Sequence, residues 1–210
     1  MERGEQPLTT VHLVRHAAHG RLGRVLTGRM EGVGLSEAGR AQAARLAETL
    51  GARKLGAIVS SPLQRARETA EPIAARAGLS VTIDAGLDEI DFGEWTGLTF
   101  AELDRRPEWL AWNSARGLAA CPGGETMLAA QSRAVSALHR LAATHPDGEL
   151  VLVSHQDVLK SLLAHLLGSP LDLLHRFALD PGHVSTVTLS SGEALVGSVN
   201  LFPDPAITLG

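Results

Sequence analysis

Three times in this chain of 210 residues a short apolar run ends near a basic or imidazole side chain. Residues 11–14 lead into Arg15-His16, and the run at 57–60 leads into Ser61-Pro62-Leu63-Gln64-Arg65. Residues 150–153 lead into Ser154-His155. Each junction reads as a buried strand handing the chain to a helix. In an open α/β sheet, ligands bind beyond the carboxyl ends of the strands, beside helix N-termini. Two arginines and two histidines delivered to that edge make a pocket for a dianion, with an imidazole placed to attack it. Arginine suits the task because its planar fork bonds phosphate oxygens in pairs and stays charged. A reference pKa of about 6.5 leaves much of an imidazole neutral, and so nucleophilic, near neutral pH. This is the outline of a phosphoryl-transfer site, where positioning and charge neutralisation carry most of the catalysis.

The elements that must position these groups follow from periodicity and stop signals. Strands are expected at 9–14, 57–60, 81–83 and 150–154, with an antiparallel hairpin at 184–189 and 195–201 around Ser190-Ser191-Gly192. Ser36 is placed as the N-cap of a helix over 37–50, with Ala38, Ala41, Leu46 and Leu50 as its buried stripe. A second helix is expected to open at Pro62 and run towards Gly78, with Pro72 kinking or interrupting it. Thr99 and Glu102 are spaced as a capping box, and 105–124 reads as an irregular cap region. Long helices are expected at 125–144 and 156–167, the second stopped by Gly168. The expected fold is α/β: a mostly parallel mixed sheet flanked by helices on both faces, with a small cap and an antiparallel C-terminal hairpin. One domain is expected over 9–210, behind a loose tail at 1–8, with the cap-like insert at about 98–125.

Composition narrows the function classes. A hydrophobic share of 44% and a charged share of 20% are those of an ordinary globular chain. The net charge of −4 argues against a general binder of nucleic acid or of an anionic membrane, so affinity for anions must be local. Cys121 is the only cysteine, which rules out an intrachain disulfide and cysteine metal clusters. The first residues carry no signal-peptide core and no stretch is long enough to span a bilayer, so a cytoplasmic protein is expected, as monomer or homodimer.

Leu13-Val14-Arg15-His16 before a glycine-rich loop, and Ser60-Ser61-Pro62-Leu63 with Arg65 and Glu68-Thr69-Ala70, resemble motifs of the histidine phosphatase superfamily. Leu87-Asp88-Glu89-Ile90-Asp91-Phe92-Gly93-Glu94-Trp95-Thr96-Gly97 is similar to that family's acid loop. Pro122-Gly123-Gly124-Glu125-Thr126 and Val153-Ser154-His155 are similar to its later motifs. The resemblance implies that His16 is a nucleophile carrying the phosphoryl group, that Arg15, Arg65 and His155 bind its oxygens, and that Glu89 protonates the leaving alcohol. Asp88, Asp91 and Glu94 lie close enough to be alternative acids. No cofactor or metal is implied, and the expected partner is a small phosphomonoester. A phosphomutase shares every one of these residues and stays open as the alternative, as does a non-catalytic phospholigand-binding module.

Two residues depart from the family pattern: Ala17 and Gln156 each stand where glycine is usual. The segment after the nucleophile, Ala18-His19-Gly20-Arg21-Leu22, is shortened and lacks the usual asparagine. Arg21, or the Thr27-Gly28-Arg29 turn, is expected to replace that contact, and Gln156 to reach the substrate. His12, His16 and His19 raise the question of a metal site. The other histidines read as surface groups, with His183 a weaker candidate for the pocket. Trp109 and Trp112, at helical spacing, are candidates to wall the entrance.

Overall fold

The structure, a computed structural model, describes residues 7–190 and 193–204. Among these residues six strands form one sheet: β1 (Thr9–Arg15), β2 (Ala57–Ser60), β3 (Val81–Ile83), β4 (Glu149–Ser154), β5 (Val184–Ser190) and β6 (Glu193–Leu201). Their order is β3-β2-β4-β1-β5-β6. The pairings β2·β3, β2·β4 and β1·β4 are parallel, whereas β5 runs antiparallel to β1 and to β6. This is the expected mixed α/β sheet with its terminal hairpin. The turn residues Ser191 and Gly192, and residues 1–6 of the expected tail, lie outside the described residues.

Among the described residues six α-helices accompany the sheet: α1 (Glu37–Leu50), α2 (Gln64–Ala77), α3 (Phe100–Leu103), α4 (Pro107–Ser114), α5 (Met127–Ala143) and α6 (Gln156–Leu166). Side chains alternate across a strand, so each central strand feeds two cores. Val11, Leu13, Leu150 and Leu152 pack with Leu138 of α5 and Leu159 and Leu162 of α6. Val14, Val151 and Val153 pack with Leu46 and Leu50 of α1 and Ile73 of α2. Burial on both faces explains why 150–153 is an unbroken apolar run.

Local expectations fail where tertiary contacts overrule them. The buried stripe of α1 is Gly39, Ala43, Leu46, Ala47 and Leu50, while Ala38 and Ala41 are exposed. The helix turns this way because Gly39 comes up against the Ala18 carbonyl. Helix α2 opens at Gln64 instead of Pro62, since Leu63 is still extended and its N–H is taken by Ser61 Oγ. Pro72 does not interrupt α2; burial of Ala70, Ile73 and Ala74 outweighs the lost backbone bond. The region read as irregular contains α4, with Pro107 in its first turn, where the missing N–H is no loss, and Trp109 and Trp112 buried. Thr126 caps α5 through the Ala129 N–H, so that helix starts two residues later than expected and leaves Glu125 free for other partners. The Thr99–Glu102 capping box forms as expected.

The close approach at Gly39 is testable. A Cβ there would lie 1.9 Å from Ala18 O, which Ser36 holds through both its N–H and its hydroxyl. Gly39→Ala should therefore cost about 1–3 kcal/mol of stability, read as a lower urea midpoint. An unchanged midpoint would mean that the loop after His16 yields freely.

Candidate active site

Strand register builds the centre of the site. Arg15 is the register partner of Ser154, and the His16 N–H extends the ladder to Ser154 O at 2.9 Å. His16 and His155 therefore leave adjacent strand ends together, with ring centroids 5.1 Å apart. Ser61 leaves β2 alongside them, its N–H bonded to Val153 O at 2.9 Å. Because β1, β2 and β4 are mutually parallel, all three junctions open on the same edge of the sheet.

The hydrogen bonds fix the imidazole protons. His16 Nδ1 lies 2.9 Å from Ala17 O, a carbonyl that can only accept, so Nδ1 carries the proton and Nε2 keeps its lone pair. Burial, helped by Arg65 and Arg15, holds the His16 pKa well below the ordinary histidine value. His155 Nδ1 lies 3.2 Å from Arg65 Nη2, which can only donate, so its proton sits on Nε2 and goes to Ser61 Oγ at 2.7 Å. Ser61 in turn donates to Asp88 Oδ1 at 3.3 Å. His155 is also held well below the usual range, first by burial and then by Arg65.

The Arg65 guanidinium is buried and that of Arg15 half-buried, and both are incompletely satisfied. Arg65, 1% exposed, bonds Gly28 O at 2.7 Å, and Arg15 Nη1 bonds Leu179 O at 2.5 Å. Arg15 Nε, Arg65 Nε and Arg65 Nη1 are buried with no hydrogen-bond partner among the described residues. Unpaired buried donors are rare and costly, and they mark where an acceptor belongs. Burial lowers the pKa of both arginines, and among the carboxylates Glu89 opposes this most.

Glu89 lines a cavity of about 280 Å³ together with Arg15, His16, Thr27, Gly28 and Gln156. Its pKa is pushed up to about 7, first by burial and then by the nearby charge of Asp157. The neighbouring acids are engaged elsewhere. Asp88 accepts from Ser61 and from the Glu89 N–H, Asp91 accepts from the Gly93 N–H, and Glu94 is exposed. The acid loop itself is clamped from α5. Arg133 donates to the carbonyls of Gly86, Asp88 and Glu89, and pairs with Glu125. Arg29 adds bonds to Glu89 O at 2.8 Å and to Glu125 at 3.2 Å.

Most residues picked from the sequence thus meet in one place. Arg65 and His155 lie behind the lining, in contact with it through Gly28 and His16. Arg21 does not join them: it is exposed, with Nη1 3.5 Å from Met30 Sδ. Arg29 turns to the acid loop instead of the cavity. The metal arrangement does not form, because His12 faces Glu149 and Thr186. Among the described residues no group of three or more His, Cys, Asp or Glu side chains could hold a metal ion. His183 packs on Phe202, outside the lining. Trp109 lines the cavity, while Trp112 is fully buried.

His19, which the sequence offers only as a possible metal ligand, turns out to line the cavity. Its ring lies 5.4 Å from that of His16, and its pKa is lowered to about 4, first by burial and then by Arg65. The Arg21 N–H donates to its Nδ1 at 3.3 Å, which leaves the proton on Nε2. Spacing alone gives no signal for this; the loop's turn at Arg21 creates it.

Ser61 links His155 to Asp88, and its removal is a direct test of that chain. Ser61→Ala leaves a buried Nε2–H without an acceptor, which should cost about 1–3 kcal/mol of stability and shift the His155 imidazole ¹⁵N resonances. Unchanged resonances would mean that His155 is oriented by Arg65 alone.

Residues 11–201 match the histidine phosphatase superfamily (branch 1). A glucosyl-3-phosphoglycerate phosphatase of Mycobacterium tuberculosis is 37% identical over 165 residues, covering 72% of this chain and 74% of that one. The protein of that name from Mycolicibacterium vanbaalenii is 38% identical over 148 residues, covering 66% of this chain and 65% of its own length. The solved structure of a mycobacterial glucosyl-3-phosphoglycerate phosphatase superposes with a TM-score of 0.83 at 29% identity, covering 92% of this chain and 99% of that one. A putative α-ribazole-5′-phosphate phosphatase from Escherichia coli gives a TM-score of 0.82 at 26% identity, covering 96% of this chain and 99% of that one. The match runs from the first strand to the last, and the chain belongs to the histidine phosphatase superfamily.

Proposed function

We propose that this protein hydrolyses a small phosphomonoester through a phosphohistidine on His16, without a metal ion. The observation that carries the reading is the set of unpartnered buried N–H groups on Arg15 and Arg65 beside an imidazole whose Nε2 lone pair is free. The phosphoryl oxygens satisfy those donors, with His155 behind them and the turn at Thr27-Gly28 beside them. The Nε2 lone pair forms the P–N bond as the P–O bond to the alcohol breaks. Glu89 gives its proton to the leaving oxygen. Ionised Glu89 then takes a proton from water, whose oxygen attacks phosphorus, breaks the P–N bond and releases inorganic phosphate. The guanidinium groups supply the positive charge a metal would otherwise bring. Names of relatives, phosphatases acting on phosphorylated metabolites, favour hydrolysis over the mutase alternative.

A phosphate-release assay over a panel of phosphomonoesters tests the reading, with His16→Ala as control. Release should vanish in the variant and be indifferent to a chelator; no release above that control on any ester would overturn it. Glu89→Gln should slow alkyl phosphates far more than activated aryl phosphates, because an aryl oxide departs with little protonation. Equal losses on both would reassign Glu89 to a role through its charge.

The pH profile has a definite sign. Glu89 must be protonated in the free enzyme, so kcat/KM on an alkyl phosphate should fall as pH rises through about 7. His16 is held well below the ordinary histidine value, so its protonation should set only a distant acid limb. A descending limb that survives in Glu89→Gln would belong to another group.

A further inference from the structure

Beside the catalytic cavity lies a second one, of about 400 Å³. Asn113, Arg116, Gln156 and Asp157 line both. Lys160, one turn along α6 from Gln156, lines only the second. Lys160 is 8% exposed, yet no carboxylate lies within ion-pair distance of it and no acceptor is bonded to it among the described residues. Its ammonium instead sits 5.5 Å from the centroid of the Phe177 ring. A buried lysine without an anion is uncommon.

The carboxylates nearby are committed to other groups. Asp157 pairs with Arg116 at 3.0 Å, Asp172 Oδ1 accepts the Gly117 N–H at 2.9 Å, and Asp180 Oδ2 accepts the Asn200 amide at 2.8 Å. Burial pulls the Lys160 pKa down, and Arg116 and Arg15 add to this, so an arriving anion would relieve the site. An apolar leaving group would strip water from these charged side chains without replacing it.

We infer that this second cavity receives a carboxylate on the leaving alcohol, with Lys160 as its counter-ion, so that the substrate is a phosphorylated hydroxy acid. The inference rests on the phosphatase reading and adds the chemical class of its substrate. Lys160 touches the part of the substrate that departs, and the transferring group stays with Arg15 and Arg65. Its effect should therefore fall on esters that carry the carboxylate and spare those that do not.

Two matched ester pairs make the test: 3-phosphoglycerate against glycerol 3-phosphate, and 6-phosphogluconate against glucitol 6-phosphate. Within each pair only a carboxylate replaces a hydroxymethyl group, and the two pairs differ in reach. In at least one pair kcat/KM should favour the acid by about tenfold or more, the size of one charge-assisted hydrogen bond. Lys160→Met, which keeps the aliphatic stem, should erase that preference by raising KM for the acid while leaving p-nitrophenyl phosphate turnover unchanged. Lys160→Arg should retain it. Phosphate release with no preference in either pair, or a preference that survives Lys160→Met, would overturn the inference and leave the phosphatase reading standing. No release from any ester would overturn both.

Discussion

The structure turns on the burial of Arg65. A guanidinium ion at 1% exposure loses most of its hydration, and only two of its contacts, Gly28 O and His155 Nδ1, return hydrogen bonds. The rest of the compensation is electrostatic, first from Glu89 and then from Asp88. That single cation therefore dictates much around it. It makes His155 an acceptor at Nδ1, depresses the pKa of His16 and His19, and helps to keep Glu89 from rising further. An anion placed there would supply the acceptors that the fold withholds.

Such a concentration of charge needs a rigid frame, and the frame comes from two directions. The parallel register of β1, β2 and β4 sets the positions of the strand-end groups. The acid loop has no regular ladder of its own, so Arg133 and Arg29 hold its carbonyls while Glu125 bridges the two arginines. Glu125 can do this because Thr126, not Glu125, caps α5. Gly124 before it lets the backbone pass close to Gly93, where a Cβ added to either would collide, and Gly123 takes the left-handed φ of the turn. Glu89 is placed by main-chain contacts, which leaves its carboxyl group facing the cavity.

How much of this could be read in advance follows from the range of each interaction. Arg15, His16 and His155 were legible because they end apolar runs, and strand ends follow from burial on both faces. Arg65 was legible as the first turn of a helix after such a strand. His19 and Arg21 were not, since their exchange of roles depends on how one loop folds back, with Arg21 N–H bonded to His19 Nδ1. The true stripe of α1 was hidden for a similar reason: Gly39 faces inward only because the Ala18 carbonyl packs on it. Helix α4 was masked by Pro107 and glycine neighbours, although its buried tryptophans hold it in place. Arg133 acts more than forty residues away from the carbonyls it binds, beyond any periodicity.

The two departures from the family pattern have different consequences. Ala17 is fully buried without a left-handed φ, and its methyl group joins Leu35 and Ala43 in a small apolar cluster outside the cavity lining. Its N–H is taken by Thr69 Oγ1 and its carbonyl by His16, so the backbone at this point is as well held as a glycine's would be. Alanine there is absorbed by packing. Gln156 is not absorbed: it opens α6 and lines both cavities. Its side chain borders the first cavity with Arg15 and His16 and the second with Lys160. Of the two departures only Gln156 reaches the cavities, so its side chain is the one that a bound molecule could touch.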